Sequence, residues 1–175
     1  MILALPFLAT LAATAPFEET VDGWLVWQSD DTCVMSTMYE KGTTISLSQN
    51  WRTKDIAVRL GDEDWKSLGS RNGQEVRADF NLSGKYVEYD AWYSDSAVIV
   101  SVPAKNVYAV NATWDGEKYD KDFWPAWALA DRVEVKIDGK LIGRFDLHGT
   151  YKASLALARC SAVALRKDTS DPFAE

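Results

Sequence analysis

The sequence predicts a mainly β fold: an antiparallel, β-sandwich-like meander of hairpins with a short helix and a C-terminal helix. Three observations predict it. Apolar and polar residues alternate from Trp24 to about Val102, turn-forming residues punctuate those runs, and one apolar stripe near the end has helical spacing. The 175 residues suit one domain with small additions, and 47% hydrophobic with 26% charged residues excludes a disordered polymer. A net charge of −7, from 26 acidic against 19 basic residues, argues against nucleic acid as a partner, which needs concentrated positive charge.

The first segment, residues 1–15, is MILALPFLATLAATA, without a charged side chain and ending in Ala13-Thr14-Ala15, which reads as a secretory signal peptide. It is shorter than the roughly 20 residues that span a bilayer, so no integral membrane span is expected. Cleavage after Ala15 would place Pro16 next to the cut, and cleavage after Ala12 or Ala13 is the alternative. The expected location is periplasmic or secreted, followed by a single β-rich domain at 16–160 and a loose tail at 161–175. Export makes an even cysteine count read as a disulfide, Cys33 to Cys160, tying the first hairpin to the C-terminal helix. The alternative is a nucleophilic thiol helped by His148, but neither residue sits in a protease or oxidoreductase motif.

The strands follow in order. Ile45 and Leu47 alternate with Thr44, Ser46 and Ser48; Ile56, Val58 and Leu60 alternate with Ala57 and Arg59; Val76, Ala78, Phe80 and Leu82 alternate with Arg77, Asp79 and Asn81. This is the pattern of strands with one face in a core and one in water. Turns are expected at Lys41-Gly42, Gly61-Asp62, Arg71-Asn72-Gly73 and Ser83-Gly84-Lys85. A late hairpin spans Val133 to Phe145. A two-residue Asp138-Gly139 turn pairs Val135 with Ile142 and leaves Phe145 on the face of Glu134. A three-residue loop with Gly139 left-handed pairs Val135 with Leu141 and is the preferred register, because it unites the apolar set. A short helix is expected over Pro125–Asp131, with Pro in the first turn. A longer one is expected from an N-cap at Thr150 to Cys160, burying Ala153, Ala156, Leu157 and Cys160 with Lys152 and Arg159 off that stripe.

Gly23-Trp24-Leu-Val-Trp27 followed by Asp31-Thr-Cys33-Val-Met35, and Phe145-Asp-Leu147-His-Gly149-Thr-Tyr-Lys-Ala153, resemble small exported bacterial proteins of the invasion-associated locus B type. The resemblance covers both ends of the chain and not the middle. It departs where that family carries a cysteine just after the first strand, here Trp27-Gln28, so the family's disulfide pattern is not transferable. It implies a β-sandwich-like periplasmic domain with an envelope or host-interaction role and no established catalytic chemistry.

Chemistry is sparse. A Ser-His-Asp system would have to use His148, and no Gly-x-Ser-x-Gly elbow accompanies it. One histidine and two bridged cysteines supply too few ligands for zinc, so no metal and no cofactor are expected. Asp62-Glu63-Asp64 and the run from Asp115 to Asp122 lack calcium-loop spacing and read as solvated charge. The eight tryptophans carry the functional question. Trp24 and Trp27, three apart on a strand, point to opposite faces, as do Trp92 and Tyr93, so at least one of each pair lies outside a single core. Trp124 and Trp127 share a helix side. Most of these rings are expected in the core. The leading expectation is a non-catalytic, exported envelope protein acting by protein or surface contact. The alternative is a glycan-binding module using Trp92, Tyr93, Trp124 and Trp127, since flat rings stack on sugars while carboxylates bind hydroxyls. A weaker alternative is a glycan hydrolase with an unmarked carboxylate pair.

Overall fold

A computed structural model describes residues 16–40, 42–87, 91–116 and 122–170. The signal segment, Lys41, residues 88–90, residues 117–121 of the acidic run and residues 171–175 of the expected tail lie outside these. Ten strands among the described residues form one antiparallel sheet: β1 (Glu18–Val21), β2 (Trp24–Ser29), β3 (Thr32–Met38), β4 (Thr44–Asn50), β5 (Ile56–Gly61), β6 (Glu75–Ser83), β7 (Ala91–Val102), β8 (Val107–Trp114), β9 (Arg132–Ile137) and β10 (Lys140–Asp146). Two α-helices among the described residues complete it, α1 (Phe123–Leu129) and α2 (Thr150–Ser170). The expected mainly β fold with a short and a C-terminal helix is therefore present.

The spatial order is β1-β2-β3-β4-β5-β8-β7-β6-β9-β10, so the chain meanders through five strands and then jumps twice. The β6–β8 unit is inserted in reverse, with β8 beside β5 and β6 beside β9. This corrects a simple meander: β8, whose Tyr108, Val110, Ala112 and Trp114 are buried, is the strand that joins the two halves.

The sheet curls. β3 and β10 are seven positions apart, about 34 Å on a flat sheet at ~4.8 Å per strand. Yet Tyr39, one residue past β3, donates its hydroxyl to the Asp146 carbonyl at 2.5 Å and sets its ring 5.2 Å from that of Phe145. The concave side holds one continuous core, with α2 packed on β1, β2 and β3 and α1 packed on α2. Aromatic rings anchor α1: Trp114 lies 5.4 Å from Phe80 and 4.9 Å from Phe123, and Phe123 lies 5.7 Å from Trp127. Cys33 on β3 and Cys160 on α2 form a disulfide across 127 residues, both fully buried. The thiol-nucleophile alternative is thereby removed, because neither cysteine is free.

Four local expectations are corrected. The β9–β10 hairpin turns on Asp138 and Gly139, both left-handed with φ of 50° and 76°, so Ile137 pairs with Lys140 rather than joining the loop. A bulge between Leu141 and Gly143 then absorbs Ile142, which sets Gly143 opposite Val135 and Phe145 opposite Val133. Phe145 reaches the core face, but by a bulge and not by a longer loop. Thr150 is the first helical residue, and its hydroxyl donates back to the Leu147 carbonyl instead of accepting from the helix as an N-cap would. Helix α2 continues past Cys160 to Ser170, through the segment read as a tail, and the short helix starts at Phe123, two residues before Pro125.

Candidate binding surfaces on the sheet

Alternation decides which side chains can meet a partner. Trp24 (1% exposed) faces the core, while Trp27 lies half-buried on the convex side. Its neighbours there are Val34, Ser48 and Ala57 in one cross-strand row, followed by Leu25, Ser36, Ser46, Arg59 and Asn111 in the next. Ser36, Thr44, Ser46, Gly61 and Ala109, small residues on β3, β4, β5 and β8, leave a shallow floor bordered by Met38 and Val107. A groove of about 730 Å³ lies over it, with Trp27 at one end, Arg59 and Ser46 along it, and Asp62, Glu63 and Lys105 at the other. Arg59 takes part in none of the ion pairs of the described residues. A guanidinium flanked across the strands by Ser46 and Asn111 is open to a carboxylate or hydroxyl from outside. Asp62 is committed internally, accepting from the Thr43 hydroxyl at 2.7 Å and the Asp64 amide at 2.8 Å. Among the described residues no three His, Cys, Asp or Glu side chains converge as metal ligands.

The four aromatics named for the glycan alternative do not come together. Trp127 is fully buried and part of the α1 anchor. Tyr93 faces the concave side, its ring edge-on to Phe123 at 4.9 Å and its hydroxyl donating to the Asp122 carbonyl at 2.9 Å. Burial, then the Asp122 charge, raise its pKa, so it stays a donor. Trp124 is partly buried against the core. The reason is geometric: adjacent residues straddle a sheet, and in α1 the burying pair is Phe123 and Trp127, one turn apart.

Trp92 alone of the four is well exposed, at 46%, on the convex side. It stands in a row with Asn81, Glu134 and Arg144. Lys136 places its ammonium 4.5 Å from the Trp92 ring centroid and 3.2 Å from Glu134, which also accepts from Arg144 at 2.7 Å. These hydrogen bonds from Arg144 and Lys136 hold the Glu134 carboxyl below the usual range. Burial pushes Asp79 upward, but hydrogen bonds from Ser94 and Arg77 and the charges of Arg77 and Lys136 outweigh it and lower its pKa. Both carboxylates stay ionised, the wrong state for a general acid near neutral pH. Asn81 Oδ1 is buried without a partner among the described residues, directly between Trp92 and Glu134.

His148 works through its main chain. Its carbonyl accepts from Trp24 Nε1 at 2.9 Å, and its amide donates to Asp146 Oδ1 at 2.8 Å. Neither contact engages the imidazole. Sequence reading missed the Arg59 groove; the available signal was the string of serines at the outward positions of β3 and β4, which distinguishes this face from an ordinary charged one.

No helix among the described residues is long and apolar enough to cross a membrane. No protein-family model matches the chain, and no characterised protein or solved structure matches it either.

Proposed function

We propose that the chain is an exported, non-catalytic envelope protein that acts by contact with a protein or surface through the convex face of its sheet. The observation that carries this reading is the groove between Trp27 and Lys105, where Arg59 stands without an ion pair among the described residues on a floor that includes Ser36, Thr44 and Ser46. Such a floor gives a ligand backbone close approach, and the Arg59 guanidinium gives it a charged anchor. The buried disulfide supports export, since such bonds persist in oxidising compartments. The likeness of both chain ends to the invasion-associated locus B type points the same way.

A photo-crosslinking residue at Ser46, with a control at Gly73 on a loop, tests the contact in the native envelope. Adducts at Ser46 that vanish in an Arg59→Glu variant are expected. Equal labelling at both positions, or labelling indifferent to Arg59, would contradict the reading.

A glycan reading retains one specific support, the exposed Trp92 beside Asp79, Asn81 and Glu134. Tryptophan fluorescence titrated with peptidoglycan fragments and common polysaccharides decides it: a shift lost in Trp92→Ala supports it, and a flat response across the panel removes it.

A further inference from the structure

Helix α2 is apolar on two opposite sides. At 100° per residue, Ala153, Ala156, Leu157, Cys160 and Ala164 gather on the side buried against the sheet. Tyr151, Leu155, Ala158, Ala162 and Leu165 gather on the side directly opposite, in 4-3-4-3 spacing. All five are exposed, the three large ones by 56%, 46% and 37%. A helix that only covers a core carries charge on its outer side; α2 instead carries the spacing of a helix-packing seam.

We infer that this seam is the contact between two copies of the chain, packed α2 against α2 in antiparallel fashion about a twofold axis near Ala158. The order of side-chain sizes fits a second copy. In that arrangement Ala158 meets its own equivalent, Leu155 faces Ala162 on both sides of that small centre, and the large Tyr151 and Leu165 face each other at the two ends. Alanine at the crossing lets the axes approach to the short end of the usual helix spacing.

Electrostatics point the same way. Two molecules of net charge −7 repel over most of their surface. Along this seam two flanking cations are already paired, Lys152 with Asp22 at 2.9 Å and Arg159 with both oxygens of Glu19 at 2.7 and 2.8 Å, while Arg166 lies exposed toward its C-terminal end. Near the axis, two Arg159–Glu19 pairs meet as alternating signs. An anionic membrane fits less well, because these two cations are already paired and the middle of the seam offers only alanine methyls. At the N-terminal end, Leu129 (40% exposed) and Tyr86 (66%) border a groove of about 450 Å³ beside Tyr151, which extends the apolar area. The sheet separates this seam from the convex groove, so dimerisation leaves both grooves free and makes the assembly bivalent toward a repeated surface.

Sedimentation velocity of the mature protein through the micromolar range tests the inference. The expected result is a reversible monomer–dimer equilibrium whose dissociation constant rises by roughly tenfold or more in Leu155→Glu. That variant changes an exposed residue, and an unchanged thermal melt shows that it folds. In Ala158→Cys, mild oxidation should give a covalent dimer, whereas Lys105→Cys on the far face should not. A monomer at the highest concentration, a dimer indifferent to Leu155→Glu, or binding of monomer to anionic vesicles through the same seam would overturn it.

Discussion

At the scale of single residues, the contacts that join the two ends of the chain are specific enough to break one at a time. Gly149 holds φ of 82°, and a Cβ there would meet Asp22 Cβ at 2.7 Å and the Asp22 carbonyl at 2.8 Å. Gly149→Ala should therefore cost about 1–3 kcal/mol, from left-handed strain and a clash with backbone. Urea denaturation measures it, and an unchanged midpoint would show that the β1–β2 turn yields freely. Replacing Cys33 and Cys160 together by alanine should cost about 2–5 kcal/mol, from loop entropy restored to the unfolded chain. The same denaturation series measures this. Burial, then the neighbouring Asp146 carboxylate, hold the Tyr39 phenol well above its ordinary 10.0. The protonated form is favoured in the folded state, so this contribution is complete below pH 10 and is lost as pH rises above it. Tyr39→Phe should be less stable at neutral pH and decline less steeply under alkaline titration followed by circular dichroism. An identical alkaline slope would contradict that linkage.

At the scale of elements, period-two alternation was enough to locate β4, β5 and β6, because each buries one face and any one-residue slip would expose its whole apolar set. The same signal is weaker in β8, where Tyr108, Ala109 and Val110 are buried in succession, and the strand escapes a pattern search. The bulge at Ile142 was illegible for another reason: two registers differ by one residue, and only the requirement that Phe145 pack beneath Tyr39 selects between them. Deleting Ile142 should preserve the Phe145–Val133 pair and leave stability within about 1 kcal/mol, since edge strands tolerate local change. Deleting Arg144 should rotate Phe145 to the solvent side and cost roughly 1.5–3 kcal/mol of lost burial. Equal stability of the two deletion variants in thermal melts would contradict the register. The buried stripe of α2 was legible, but its second stripe was not, because an apolar position on a helix reads as core until the sheet shows which side it covers. The separation of the aromatics was legible only in part: strand parity announced that Trp92 and Tyr93 part company, but no sequence pattern says which other residues share the outer side.

At the scale of the whole molecule, one curled sheet puts its core and α2 on the concave side and leaves the convex side free for contact. The disulfide joins β3 to α2 across that core, so the staple and the convex groove lie on opposite sides of the same strands. The disulfide thus ties the strands to α2 without touching the groove, and such a bond persists in an oxidising compartment, which supports the proposed export. The measurement that tests this most directly is mass spectrometry of non-reduced protein taken from the periplasm after alkylation. The expected result is a single cross-linked peptide pair containing Cys33 and Cys160, with no alkylated thiol. Recovery of both cysteines alkylated, or of the chain in the reducing cytosol alone, would contradict the exported, stapled protein described above.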